Sequence, residues 1–282
     1  DNTISSRLGG FIRDNDVRVK RVKSKNATYF YYLSKLEQDI NIDNIEKIAK
    51  KEVSKNATII NSYSEKSLHK ILSTYLKNDN IYAKTILHET SKNKADSHQK
   101  WIHPDMIGAK MITLKSQTNK ALMKVLNHKD IFTLTSYEIK REINTDYELK
   151  EAYFQSVSNS SWANYGYLVA FEISSSLNEE MKRLNQSFGI GIILLKANPY
   201  ESEVLYQSHF RTLDFSTMDK LCNINKDYKE FIKLSEKILT AQDRYYTGVE
   251  KELSDFCDDT LKDEEDIKKY CEQSFIPIED GD

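Results

Sequence analysis

Residues 136–173 read SYEIKREINTDYELKEAYFQSVSNSSWANYGYLVAFEI, and this stretch decides the fold. It begins with a β-prone run that ends at Ile143, continues with a helical pattern, and closes with the almost continuous apolar run YLVAFEI. A strand, a helix and a second strand in this order predict an α/β unit. An apolar run of the second kind is typical of a strand that is buried on both faces.

The helical pattern between these strands has two different sides. We expect Asp146 to cap the helix, with Leu149 and Tyr153 facing the core. Gln155, Ser158 and Asn159 fall on another side, and these polar side chains could satisfy each other or the backbone at the helix end.

The flanking sequence extends this unit in both directions. Ser64 is a good N-cap for a helix, and the residues after it predict a helix, three strands, a helix and a strand, followed by further α and β elements. The predicted elements before residue 136 are EKSLHKILSTYLKN, NIYAKTILHE, WIHPDMIGAKMI, the helix 117–127 and IFTLTSYEIKREI. After residue 173 they are SLNEEMKRLNQSF, GIILLKA, SEVLYQS and mostly helix from Thr217 onward. We therefore predict an α/β domain with a mixed sheet flanked by helices.

Glu138 and Lys140 stand in a strand where core residues are expected. Residues two apart share a face of a strand, so these two project together while Tyr137 and Ile139 point into the core. Asp105 lies on a neighbouring predicted strand, and two carboxylates on adjacent strands suit Mg²⁺. A lysine beside them could orient a water or stabilise charge on a phosphate. The alternative is a surface ion pair of little energetic weight.

Several segments together resemble a known superfamily. His103-Pro104-Asp105, then Glu138-Ile139-Lys140, then the helix with Gln155 and a buried strand, resemble the PD-(D/E)XK restriction-endonuclease-like superfamily, whose core is αβββαβ. The sequence is closer still to the HrgA-type proteins of bacterial restriction-modification loci, which join a winged helix to such a domain. This closer resemblance covers roughly residues 64–235, through the segments NIYAKTILHE, KWIHPDMIG, YEIKREIN, FQSVSNSSWAN and LNQSFGIGI.

The resemblance implies a Mg²⁺- or Mn²⁺-dependent DNA endonuclease linked to restriction or defence. It assigns Asp105 and Glu138 to the metal, Lys140 to the attacking water, and Gln155 to ordering the site or contacting the nucleic-acid backbone. Glu65 matches an acidic position that some branches add to the metal site. The implied partner is double-stranded DNA, and a homodimer would cut both strands. The alternative is a DNA-binding or regulatory protein whose nuclease-like domain no longer cuts.

Residues 1–36 predict a short helix over 3–14 followed by the β-prone runs VRVKRVKSK and ATYFYYL. This order resembles the second half of a winged-helix domain, whose first half would lie upstream; a plain surface hairpin is the alternative. The resemblance implies phosphate contacts from basic side chains. These are Arg7, Arg13, Arg18, Lys20, Arg21 and Lys23.

Composition and charge complete the predicted domain plan. Residues 249–282 hold 13 acidic and 4 basic side chains in a chain of net charge −2, so the rest of the chain is basic. We predict a linker over 37–63, the nuclease-like domain over 64–245 and an acidic tail over 246–282. A basic body suits a polyanionic partner, although a solvated charged surface is the commoner meaning of such a balance.

The expected compartment follows from two absences in the sequence. The 3 cysteines form no CxxC pair, which favours a reducing compartment over a disulfide framework or a structural zinc site. No apolar run approaches the roughly 18 residues of a membrane helix. We therefore expect a cytoplasmic protein without a membrane partner.

Overall fold

The structure is a computed structural model that describes residues 19–23, 29–33, 63–87, 91, 103–111 and 132–278. The chain separates into two compact units, Asp1–Ser62 and Tyr63–Asp282. Each unit is described by itself.

In the first unit the structure describes a two-stranded hairpin. Strand β1 (Val19–Lys23) pairs antiparallel with β2 (Tyr29–Leu33), and Val19 lies opposite Leu33. The two β-prone runs of the sequence are therefore confirmed as paired strands. The predicted helix over 3–14, the linker up to residue 62, and Arg7, Arg13 and Arg18 lie outside the described residues.

In the described residues of the second unit, six strands form a mixed sheet in the order β3-β4-β5-β6-β7-β8. The pairs β5–β6 and β6–β7 are parallel, and the other neighbouring pairs are antiparallel. The strands are β3 (Ile81–Thr85), β4 (Met106–Met111), β5 (Phe132–Ile143), β6 (Tyr165–Ile173), β7 (Gly191–Leu194) and β8 (Glu203–Tyr206). The predicted α/β class with a mixed sheet is confirmed, whereas the predicted helix over 117–127 lies outside the described residues.

Helices cover both faces of this sheet. They are α1 (Glu65–Asn78), α2 (Asp146–Asn159), α3 (Asn178–Phe188), α4 (Phe215–Ile224), α5 (Lys226–Thr240), α6 (Asp243–Phe256) and α7 (Glu264–Ser274). Apolar side chains of α1 and α7 share one core with Tyr137 and Ile139 of β5. On the opposite face, α2 and α3 pack over β6 and β7, while α4, α5 and α6 pack with Ile107 and Leu134.

Two helix starts show how local sequence sets element boundaries. Ser64 caps α1 as predicted, because its hydroxyl accepts the backbone N–H of Ser67 at 3.2 Å. Helix α2 begins differently: its cap is Thr145 and not Asp146, which is the first helical residue. Thr145 and Glu148 satisfy each other's backbone N–H groups in a capping box, so the hydroxyl takes the cap and leaves Asp146 inside the helix.

Residues 246–278 of the predicted acidic tail are folded into the domain, and the boundary predicted between residues 245 and 246 falls inside α6. Leu253 and Cys271 are fully buried in the domain core. The hydroxyl of Tyr82 on β3 donates to Glu250 at 2.7 Å, and Leu261 N donates to the buried hydroxyl of Thr74 at 2.9 Å. Most of the described acidic side chains of this segment lie on the solvent side of elements whose apolar sides complete the core, which net charge by itself does not reveal.

We therefore expect deletion of residues 246–282 to destabilise the whole second unit. The deletion uncovers apolar surface on α1, β3 and α5, and the free energy of unfolding should fall by several kcal/mol. Urea unfolding followed by circular dichroism measures this change, with a chain that ends at Ile278 as the control. A deletion variant as stable as this control would contradict the packing described here.

Candidate active site

The candidate site lies on strand β5, whose two faces differ: one is apolar and the other carries Glu138 and Lys140. Tyr137 and Ile139 are buried in the core that contains α1, as the sequence predicted. Glu138 and Lys140 therefore project from the opposite face. That face also carries the C-terminal end of α2, which packs over β5 and β6.

Asp105 reaches Glu138 from the adjacent strand. Met106 pairs with Tyr137, so Asp105, one residue earlier, lies opposite Glu138. Asp105 N donates to Tyr137 O at 3.1 Å, and its carboxylate oxygen Oδ2 accepts the N–H of Ile139 at 2.8 Å. Strand β4 starts only at Met106, so this carboxylate takes the place of the strand carbonyl that would otherwise pair with Ile139.

The carboxylate of Glu138 is held on both sides. Its side chain is 1% exposed, and Lys140 Nζ donates to Oε1 at 2.8 Å. Asn159, the last residue of α2, donates from Nδ2 to the second oxygen, Oε2, at 2.8 Å. The Lys140 side chain is 22% exposed, so one end of this arrangement reaches solvent.

Asn159 is itself fixed by two further hydrogen bonds to its backbone carbonyl. Ser136 Oγ, on β5, donates to this oxygen at 3.1 Å, and the indole N–H of Trp162 donates to it at 2.8 Å. Trp162 is fully buried and packs edge-on against Tyr228 at a centroid distance of 5.2 Å. The end of α2 is thus anchored to β5 and to the core, which sets where the Asn159 amide lies.

Burial raises the pKa of Glu138, and the negative charge of Asp105 raises it further. The ammonium of Lys140 and the hydrogen bonds from Lys140 and Asn159 act in the opposite direction, and the resulting pKa is about 7. A carboxyl group of this kind changes charge near neutral pH, as acid–base and metal-binding groups in active sites often do.

Lys140 stays a cation because acidic groups surround it. Burial lowers its pKa, but the charge and hydrogen bond of Glu138 and the charges of Asp105 and Glu65 raise it, and the pKa ends above its ordinary value. The four groups therefore interact electrostatically, with one ammonium among three carboxyl groups. Such an arrangement attracts a further cation more readily than an anion.

The structure brings together only part of the predicted site. Asp105, Glu138 and Lys140 meet as expected from the sequence. Glu65, the exposed first residue of α1, acts on the charge of Lys140; yet among the described residues no group of three or more His, Cys, Asp or Glu side chains could hold a metal ion. Glu65 therefore does not join the two other acids as a metal ligand. Gln155 makes neither of the hydrogen bonds that hold Glu138; Asn159 makes the one from α2.

Sequence reasoning missed Asn159 because two polar positions of α2, one turn apart, compete for the same role. Gln155 and Asn159 are four residues apart, so they share a side of the helix. Which of them contacts Glu138 depends on the position of α2 along its axis relative to β5. The available signal was the polar cluster of residues 158–161 at the predicted helix end, which is unusual beside a buried strand.

The oxygen donors present suit a hard divalent cation. Asp105 and Glu138 supply carboxylates on adjacent strands, and the buried amide oxygen of Asn159 has no hydrogen-bond partner among the described residues. Carboxylate and amide oxygens are the ligands that Mg²⁺ and Mn²⁺ prefer in proteins.

A cavity of about 450 Å³ lies elsewhere, beside α1 and the end of β3. Its lining includes His69, Thr85 and Asp258 but none of the three predicted site residues on β4 and β5. Thr85 is hydrogen-bonded to His69 Nδ1 at 2.8 Å, and its backbone N–H donates to Asp258 at 2.8 Å. The bond to Asp258 attaches the segment after α6 to β3. We therefore interpret this cavity as lying where the acidic segment packs on β3, and not as the reactive centre.

Comparison of the chain with protein-family models, curated proteins and solved structures finds no match. In the part of the chain that the structure describes, no helix has both the length and the apolar character that crossing a membrane requires.

The raised pKa of Glu138 predicts a stability that depends on pH. Between the ordinary value of 4.5 and the folded value of about 7, the folded protein keeps a proton that the unfolded chain has released. This contribution to stability is fully present below pH 4.5 and is lost as the pH rises through 7. From about pH 5 to pH 8, the free energy of unfolding of the wild type should fall by about 2 kcal/mol relative to Glu138→Gln.

Urea unfolding at a series of pH values, with EDTA present, measures this difference. Glu138→Gln preserves the shape of the side chain and removes its titration, whereas Glu142→Gln changes an exposed glutamate on the same strand and is the control. If the wild type and Glu138→Gln gave parallel curves over this range, the carboxyl group would not titrate as described.

Proposed function

We propose that the second unit is a metal-dependent DNA endonuclease that hydrolyses phosphodiester bonds. One observation carries this proposal: Asp105, Glu138 and Lys140 converge on one face of adjacent strands where β4 begins, and the Glu138 carboxylate is held in place on both of its oxygens. Two carboxylates and a lysine are the groups that metal-assisted phosphodiester hydrolysis uses.

A purely structural role explains this arrangement poorly. Burying a carboxylate and an ammonium costs several kcal/mol, and apolar side chains of similar volume in their place are often equally or more stabilising. Here Glu138 is 1% exposed and has Asp105 as a second negative charge nearby, which makes its burial more costly. Groups that weaken a fold in this way are commonly retained for function.

The three side chains divide the work of hydrolysis. Asp105 and Glu138 would hold a Mg²⁺ or Mn²⁺ ion, and such an ion, when bound, offsets the negative charge that develops on the phosphate. Lys140 Nζ, which donates to Glu138 at 2.8 Å, would position a water for in-line attack on phosphorus. A P–O bond forms to the water oxygen, which gives its proton to solvent, while the P–O bond to the sugar breaks and the sugar oxygen leaves with the electrons of that bond and takes a proton from solvent.

The order of elements supports the same proposal. Among the described residues the elements from α1 to β6 come in the order α1, β3, β4, β5, α2 and β6, and β5 pairs with β6 in parallel. This is the αβββαβ order that the resemblance to restriction-endonuclease-like and HrgA-type proteins implies. We assign DNA contacts to the basic residues of the first unit, of which Lys20, Arg21 and Lys23 lie on β1. The biological role that follows is restriction or another defence against foreign DNA.

A DNA-binding protein that does not cut is the second candidate. Both oxygens of Glu138 are occupied by protein donors, and its side chain is almost inaccessible to solvent. An enzyme must open this arrangement enough to admit a cation, whereas a binding protein need not. Cleavage assays separate the two candidates.

We expect the full chain to nick or cut plasmid DNA with Mg²⁺ or Mn²⁺. Asp105→Ala and Lys140→Ala should each lower the rate by at least about 100-fold, because they remove a metal ligand and the group that orients the water. Gel electrophoresis of supercoiled plasmid measures the rate. Lys182→Ala, which removes an exposed lysine on α3, is the matched control for loss of a positive charge and should cut like the wild type.

Two results would argue against an enzyme. Equal cutting by the wild type, Asp105→Ala and Lys140→Ala would place the activity outside this site. Absence of cutting in every variant, together with retained DNA binding, would favour the binding protein.

The hairpin of the first unit supplies a separate prediction about DNA affinity. Changing Lys20, Arg21 and Lys23 together to alanine should weaken binding to duplexes of unrelated sequence alike, since contacts to phosphate carry no sequence information. Each lost phosphate contact lowers the magnitude of the slope of log K against log salt concentration by about 0.9, so the triple variant should lose up to about 3. Fluorescence anisotropy at several salt concentrations measures the slope, and an unchanged slope would exclude the hairpin from the interface.

A further inference from the structure

In the side-chain amide of Asn159 the nitrogen has a hydrogen-bond partner and the oxygen has none among the described residues. Its nitrogen Nδ2 donates to Glu138 Oε2 at 2.8 Å, while its oxygen Oδ1 is buried and has no hydrogen-bond partner among the described residues. The residue as a whole is 1% exposed. Leaving a buried carbonyl oxygen without a partner costs about 1–3 kcal/mol, so such an atom in a folded protein calls for an explanation.

The surroundings determine which way this amide points. The amide nitrogen faces Glu138, and this is the end of the amide that an ionised carboxylate binds, since the carboxylate accepts hydrogen bonds and donates none. The backbone of Asn159 is held by Ser136 and Trp162, so the side chain cannot withdraw by moving the helix end. The oxygen is therefore left beside the acidic cluster by the same bond that orients Glu138.

A divalent cation would satisfy this oxygen, because cations such as Mg²⁺ and Mn²⁺ bind carbonyl and carboxylate oxygens. The cluster already places Asp105 and Glu138 side by side, and their mutual repulsion contributes to the raised pKa of Glu138. A neutral amide oxygen adds a third hard ligand without adding a third negative charge. It thereby completes an oxygen set that the acidic side chains of the described residues do not form by themselves.

We propose that Asn159 is a metal-site residue of this protein: Nδ2 orients the Glu138 carboxylate, and Oδ1 coordinates the same divalent ion as Asp105 and Glu138. This inference rests on the proposed function, because it assigns a further ligand to that same site. In this proposal α2 supplies a third ligand, Asn159, to the ion that Asp105 and Glu138 bind.

The test measures Mn²⁺ binding by the full chain with isothermal titration calorimetry and with electron paramagnetic resonance of free Mn²⁺. Asn159→Ala removes both ends of the amide and should weaken binding by about 10-fold or more. Asn159→Asp keeps an oxygen ligand and loses the N–H donor. It should bind Mn²⁺ at least as tightly as the wild type and show a larger rise in melting temperature on adding the ion, because the added charge repels Glu138 until the cation arrives.

Two further variants serve as controls for Mn²⁺ binding, one expected to lose it and one expected to keep it. Asp105→Ala should lose most of the binding, and Glu151→Gln, an exposed position on the same helix, should bind like the wild type. Circular dichroism confirms that each variant is folded, and if Asn159→Asp folds only when Mn²⁺ is present, that result supports a ligand role directly.

Three outcomes would overturn the inference, and they differ in what else they affect. Wild-type affinity in Asn159→Ala removes Asn159 from the site. Weak binding in both Asn159 variants, equal in the two, leaves it a positioning residue that orients Glu138 without touching the ion. Absence of Mn²⁺ binding by the wild type overturns the metal site and the proposed hydrolysis together, whereas wild-type binding without plasmid cutting overturns the proposed hydrolysis and leaves the ligand assignment intact.

Discussion

The buried carboxylate of Glu138 is the constraint on which the rest of the site depends. A charged group that is 1% exposed must have its oxygens satisfied by the protein, and here Lys140 supplies one hydrogen bond and Asn159 the other. One donor comes from the same strand and the other from the end of α2. The position at which α2 ends over the sheet therefore determines whether the Asn159 amide can donate to the Glu138 carboxylate.

The site lies where strand β4 begins beside β5. Strand β5 continues to Ile143, whereas β4 begins at Met106, opposite Tyr137. Beyond that point no strand among the described residues pairs with β5 on its β4 side, and the Asp105 carboxylate accepts the backbone N–H of Ile139. A side chain that ends a ladder in this way is held rigidly, which is what a ligand or catalytic group requires. The cost is a like charge beside Glu138, and burial and this charge together outweigh the two favourable donors, so the pKa of Glu138 is raised.

Periodicity in the sequence was sufficient to predict the individual helices and strands and to predict which face of β5 is buried. Alternation along YEIKREI predicted that Tyr137 and Ile139 are buried and that Glu138 and Lys140 face the other way, because a strand has only two sides. The same kind of reasoning failed for the acidic segment. Its charge predicted a tail, but Leu253 and Cys271 lie on the apolar sides of two helices, and amphipathic helices can be both strongly acidic and well buried.

By itself, the sequence determined the α/β class, the strand and helix segments, and the meeting of Asp105 with Glu138 and Lys140, because these follow from local patterns and from pairing of adjacent strands. Only the tertiary structure decided that Asn159, and not Gln155, reaches the carboxylate, and that Glu65 influences Lys140 without joining the acids. The physical reason is that a helix presents several polar side chains at similar angles. Which of them touches a strand depends on the register between the two elements, and distant packing contacts such as that of Trp162 set this register.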